Sequence, residues 1–230
     1  MQSMTDHLTS LGQQNEALPE QFWASRLVEC MLDLGELKTN AVLISLDGIK
    51  SIKPYQRYPE KPYNFGNKHW RAFYHCHDAK DETCEEHGHY HFFTRDKLQD
   101  SWSHVAAMGM NKLGQPVRLF TTNLWVTDGI WFKSSLLNKQ MDILRHSKED
   151  TLVANWLKSA LLLFYNEINN LLLQRDKAAS NLYPGNLDKL FIDHNVNYLS
   201  ESSIDLNKQL LKLLNPEINS NKTKQAQHDA

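Results

Sequence analysis

Two runs, Trp70-Arg-Ala-Phe-Tyr-His-Cys-His77 and His87-Gly-His-Tyr-His-Phe-Phe-Thr-Arg95, decide the fold. Both are rich in aromatic residues, and each carries histidine at every second position near one end. Successive side chains of a strand alternate between faces. His75 and His77 therefore share one face, and His87, His89 and His91 share one face. The charged segment Asp78–Glu86 joins the runs as a hairpin. Farther along, Ser103–Met110 and Val117–Thr127 flank a loop containing Gly114 and Pro116, and Asp128-Gly129 precedes Ile130-Trp-Phe132. Four or five strands at this spacing predict an antiparallel β-meander, closed as a sandwich or a small barrel.

On the N-terminal side, Pro19 opens a helical pattern whose apolar stripe includes Trp23, Leu27, Cys30, Met31 and Leu34. Ala41–Leu46 is a short apolar run, either strand or helix, closed by Asp47-Gly48. Residues 54–67 mix Pro54, Pro59, Pro62 and Gly66 with four aromatic rings, which predicts an ordered loop packed through those rings. Beyond about residue 136 the pattern becomes helical. A long helix starts near Ser147–Asp150, carries Trp156, Leu161, Phe164, Ile168 and Leu172, and breaks at Tyr183-Pro-Gly185. A shorter helix covers Ile204–Leu214. The prediction is an α+β domain over residues 19–214, with a His-rich β core at about 70–132 and a helical part at 136–214. Flexible segments are expected at 1–18 and 215–230.

Composition narrows the function classes. The 230 residues are 41% hydrophobic, enough for a sizeable core. With 25 basic and 27 acidic residues, the chain is not built for general attraction to nucleic acid or to an anionic membrane. Its most apolar stretch, Leu152–Leu173, is interrupted by Lys158, Asn166, Glu167, Asn169 and Asn170 and reads as a buried helix rather than a membrane span. The first residues lack a basic and apolar leader pattern, so a cytoplasmic location is expected. Three cysteines do not make a disulfide scaffold. Cys76 alternates away from the histidines and reads as a buried structural thiol; a Cys76–Cys84 disulfide is not expected in a cytoplasm.

Histidine is the unusual count: six of 11 fall between His75 and His104. A hairpin can set His77 opposite His87 and His75 opposite His89, with facing Cβ atoms about 4.5–5.5 Å apart. Neutral imidazole is a good ligand for transition metals, whereas clustered imidazoles repel one another once protonated. The candidate ligands to a divalent transition metal (Fe, Zn, Cu, Ni or Mn) are His75, His77, His87, His89, His91 and His104. His87 and His91 lie about 13 Å apart along a strand, so they do not share one ion unaided. Asp78, Glu82, Glu85 and Glu86 are nearby carboxylates. The alternative is a solvated, histidine-rich hairpin.

A second run, Phe120-Thr-Thr-Asn-Leu-Trp-Val-Thr127, alternates as a strand with Phe120, Leu124 and Val126 on its core face. Asn123 and Trp125, on the other face, are candidate walls of a small-molecule pocket beside the histidines. An ordinary exposed sheet face is the alternative. Arg95 is a candidate anion contact.

Taken together, Tyr74-His-Cys-His77, Glu86-His-Gly-His-Tyr-His-Phe92 and Leu119-Phe-Thr-Thr-Asn-Leu-Trp-Val-Thr127 resemble the runs of a bacterial domain-of-unknown-function family, over roughly residues 55–132. That resemblance implies no particular activity. His75-Cys-His77 with Glu82 and Gly88 is similar to the first cupin motif, which implies a β-barrel holding a divalent ion, with His104 in the place of the later histidine. His87-Gly-His-Tyr-His-Phe-Phe93 is similar to the run of histidine-triad nucleotide hydrolases, which implies His89 as nucleophile. Three readings follow: a His-ligated mononuclear metalloenzyme, oxygenase-like or hydrolytic; a nucleotide hydrolase or transferase using His89; and a non-catalytic metal-storage or sensor module.

Overall fold

The computed structural model describes residues 19–77, 86–96 and 101–215. The expected flexible ends, apart from Asn215, lie outside the described residues, as do Asp78, Glu82, Cys84 and Glu85. Helices α1 (Glu20–Glu36) and α2 (Ala41–Ser45) come first. Five strands follow: β1 (Tyr58–Phe65), β2 (Trp70–His75), β3 (Gly88–Thr94), β4 (Ser103–Met110) and β5 (Pro116–Thr122). Next come helices α3 (Leu124–Thr127), α4 (Ser134–Arg145), α5 (Leu152–Leu163), α6 (Tyr165–Leu182) and α7 (Leu187–Phe191). Strand β6 (Tyr198–Ser203) and helix α8 (Leu206–Leu214) complete the fold.

The expected α+β architecture is present. All six strands form one antiparallel sheet in the order β1 to β6. Among the described residues β1 and β6 are its two edges, so the meander neither closes into the barrel that the cupin resemblance implies nor doubles into a sandwich. Helices supply the second layer instead. The side chains that meet them are Trp70, Ala72 and Tyr74 of β2, Tyr90 and Phe92 of β3, Ala106, Met108 and Met110 of β4, and Leu119 of β5. Alternation places all of them on one face, and fully burying each large apolar side chain contributes roughly 1.5–3 kcal/mol. α5 packs against α1 and β1, and α6 covers β5 and β6. The near-continuous apolar sequence of α5 follows from this burial on both sides: ten of its twelve residues are buried. Among the described residues, no helix is long and apolar enough to cross a membrane.

Several local expectations change. The segment read as a packed loop contains β1, whose prolines are tolerated because it is an edge strand. Ala41–Ser45 is helical, capped by the Asn40 side chain on the Leu43 amide. The long C-terminal helix starts after a Thr151 cap and is interrupted at Phe164. Ile130–Phe132 is not a strand. β6 was not anticipated, because its Tyr-Leu-Ser-Glu-Ser-Ser sequence has little apolar alternation. It is stabilised as a strand by pairing with β5 and by the Ser200 hydroxyl, which meets Thr121 at 2.7 Å and the Leu171 carbonyl at 2.8 Å.

The β2–β3 junction depends on Gly88. A Cβ there would lie 2.6 Å from both the His75 carbonyl oxygen and the Tyr74 hydroxyl. The backbone oxygen of a paired strand cannot swing aside as a flexible side chain can. Gly88→Ala is therefore expected to cost about 1–3 kcal/mol, the usual range for overpacking. Urea unfolding checks this, and an unchanged midpoint would count against the close approach.

Candidate metal centre

The other face of the sheet carries the histidines. On β2 and β3 the residues opposite in parity to the core set are Arg71, Phe73 and His75, and His89, His91 and Phe93. The register sets His75 directly opposite His89, as the hairpin arithmetic expects, and Phe73 opposite His91. His75 and His89 approach to 2.6 Å between their Nε2 atoms. The His89 and His91 Nε2 atoms are 3.1 Å apart, and those of His91 and His75 are 3.3 Å apart. Three imidazole nitrogens from two strands thus converge on one point, and this triad can hold a metal ion. Nitrogens that bind one ion at about 2.0–2.1 Å stand roughly 3 Å from each other, so the spacing fits.

A second layer holds these rings from behind. His89 Nδ1 lies 2.8 Å from the Glu86 carboxylate, which also accepts from Arg118 at 3.3 Å. Arg118 in turn donates to Glu201 at 2.7 Å. Gly109 makes room for the carboxylate, since a Cβ there would sit 2.6 Å from Glu86 Oε2. His91 Nδ1 lies 3.0 Å from His104 Nε2, and His104 Nδ1 lies 3.3 Å from the Thr122 hydroxyl. His104 gains this position through a β-bulge. His91 pairs with Ala107 and Phe92 with Ala106, but Phe93 pairs with His104, so Val105 is the extra residue. Without the bulge, alternation would turn His104 toward the helices. Partners of this kind fix the tautomer and orientation of metal-binding imidazoles.

The Glu86 carboxylate, an acceptor only, fixes the proton on His89. His89 Nδ1–H donates to Glu86, which leaves its Nε2 as a bare lone pair. In the tautomer in which His91 Nδ1–H donates to His104 Nε2 and His104 Nδ1–H donates to the Thr122 hydroxyl, His91 Nε2 is bare as well. Two bare lone pairs about 3 Å apart repel unless a cation, or the N–H of a neutral His75 tautomer, sits between them. An added proton, which would make one ring an imidazolium, is disfavoured there. Burial, then the charges of His89 and His77, push His75 down to about 2. Burial lowers His89 despite its Glu86 partner, and holds His91 well below the usual histidine range. Burial of Glu86 raises its carboxyl, but the His89 and Arg118 contacts outweigh this and keep it below the usual range. The donor set suits a metal cation better than a proton.

The six candidate histidines do not all meet. His77 follows the end of β2, yet its Nε2 reaches to 3.2 Å from His75 Nε2. His104 lies behind His91 rather than at the convergence point. His87 is not brought into the cluster. It precedes β3, and its Nδ1 lies 2.7 Å from the hydroxyl of Tyr74, a core-facing residue. The face-sharing of His87 with His89 and His91 assumed that the strand extends one residue farther than it does. Cys76 is buried in the core cluster. Arg95 lies over the Trp102 ring.

Asn123 also differs from expectation. β5 ends at Thr122, and Asn123 is fully buried as the cap of α3. Its side-chain amide donates to the Leu190 carbonyl at 2.7 Å and its oxygen accepts from the Leu124 amide. Trp125 does line a cleft of about 590 Å³, together with His75, His77 and His91. Its Nε1–H donates to the Val196 carbonyl at 2.8 Å, and its ring stacks on His194 at 4.4 Å. The remaining walls include Tyr55, Arg57, Phe73 and Tyr198. Sequence reasoning did not find Arg57, Arg118 or Tyr198 as site residues, because none belongs to the histidine runs. Glu86, three residues before His89, was legible only as a nearby carboxylate.

A family model described as "Domain of unknown function (DUF6969)" matches residues 21–204. No curated protein and no solved structure matches the chain.

Proposed function

The chain belongs to the DUF6969 family, a domain of unknown function, and on the strength of its site we propose that it is a mononuclear metalloenzyme acting on a small molecule. In this reading His75, His89 and His91 hold one divalent first-row transition-metal ion. The observation that carries it is the convergence of three Nε2 atoms beside an open cleft, with two of the rings anchored through Nδ1. The ion would supply Lewis acidity or, if redox-active, one-electron chemistry. Three neutral imidazoles would leave its charge undiminished. Tyr55, Phe73, Trp125 and Tyr198 present aromatic surface to whatever enters the cleft, which favours oxygenase-like chemistry on a substrate with an aromatic or apolar body over hydrolysis. His77, half-buried at the cleft beside His75, is placed to exchange a proton with a bound molecule.

The histidine-triad reading fares less well. His89 Nε2 faces two other imidazole nitrogens at 2.6 and 3.1 Å, which leaves little approach for a phosphorus atom. Elemental analysis of the purified chain, followed by chelation and reloading, tests the proposal. About one metal ion per chain is expected, taken up again after stripping, with any turnover in a small-molecule screen lost on chelation. A protein that takes up no metal on titration overturns it. Nucleotide hydrolysis that survives chelation but disappears in His89→Ala would establish the histidine-triad reading instead.

A further inference from the structure

Arg57 points to the class of molecule that the cleft receives, an inference that rests on the metal-site reading above. Its exposed guanidinium lies 4.7 Å from the centre of the Phe73 ring. Phe73 in turn packs against His91 and His75, with ring centres 5.5 and 6.1 Å away. One aromatic ring therefore separates the guanidinium from the imidazole cluster. Among the described residues Arg57 makes no ion pair, and the described residues that line the cleft include this one fixed cation and no carboxylate. Stacking on a ring face leaves the in-plane N–H fork of an arginine available for a bidentate anion contact.

Four aromatic side chains line much of the rest of the cleft, alongside the histidines and Val126, Thr127 and Asn197. Trp125 is held by its bond to the Val196 carbonyl and its stack on His194, so that wall is formed before anything binds. Tyr198 is packed at 5.2 Å from Phe120. We infer that the cleft binds a small aromatic carboxylate, with the carboxylate paired to Arg57 and the ring on the aromatic walls beside the histidine cluster. A single guanidinium matches a monoanion; a phosphate dianion calls for more than one fixed charge.

The test uses 1-naphthoate, its uncharged amide 1-naphthamide, and inorganic phosphate, titrated calorimetrically into the full chain in metal-loaded and metal-stripped forms. Naphthoate is expected to bind at least tenfold more tightly than either comparison compound. Arg57→Ala should weaken naphthoate at least tenfold and leave naphthamide unchanged, with Arg57→Lys intermediate because it loses the bidentate fork. Arg57 is exposed, so the variant should fold as the parent does, and its thermal midpoint verifies this. No naphthoate binding, equal binding of the amide, or full affinity in Arg57→Ala overturns the inference. If the chain takes up no metal but Arg57-dependent naphthoate binding persists, only the metalloenzyme reading fails. Metal uptake without naphthoate binding removes this inference alone.

Discussion

Metal affinity is expected to fall in three distinct grades across the histidine set. His75→Ala, His89→Ala and His91→Ala each remove one of the three converging nitrogens and should weaken binding more than a hundredfold. His104→Ala and Glu86→Ala remove groups bonded to Nδ1 of those rings. Such losses typically cost 10–100-fold. His87→Ala should leave affinity unchanged, since its ring bonds to Tyr74 and not to the cluster. Competition with a chromophoric chelator measures all six, and melting of each stripped variant separates lost ligation from lost folding. A His87→Ala effect as large as that of His89→Ala would show that the site is assembled differently.

Acid should unfold the metal-stripped protein steeply below about pH 6.5. Burial, reinforced by neighbouring positive charges, pushes His75 down to about 2 and His104 to about 3. Burial also lowers His89 and holds His91 well below the usual range. The sign follows from proton counting. Unfolded histidines titrate near 6.5, so below that pH the unfolded chain binds protons that the native state refuses. Each such histidine then removes about 1.4 kcal/mol of stability per pH unit. His75, His91 and His104, the three held furthest down, together give roughly 4 kcal/mol per unit, which would exhaust the ordinary 5–15 kcal/mol of a domain within a few units. Glu86, whose carboxyl is lowered, adds a loss only at more acidic pH. Chemical denaturation of stripped and loaded protein between pH 7.5 and 5 tests this. The loaded protein should resist further into acid, because a ligated nitrogen cannot take a proton. Equal stability of the stripped protein at pH 7.5 and 5 would contradict the buried, neutral state of these rings.

The amino-acid sequence by itself determined the antiparallel meander, the α+β class and the pairing of His75 with His89. All three follow from period-two alternation in runs of aromatic and histidine residues, which is a local property of the chain. It also determined that Cys76 faces away from the histidines. Tertiary structure alone decided which histidines meet. His87, His89 and His91 have the same parity, but β3 starts at Gly88, and the Tyr74 hydroxyl draws His87 off the face. His104 has the wrong parity and reaches the face only through the bulge at Val105. Asn123 continues the alternation of β5 in sequence, yet it turns inward to cap α3 and bind the Leu190 carbonyl. Arg57 and Tyr198 join the cleft from the two edge regions of the sheet. Where strands end, where a bulge falls and which distant side chains close a cleft are set by packing between residues far apart in the chain. Alternation carries no record of those contacts.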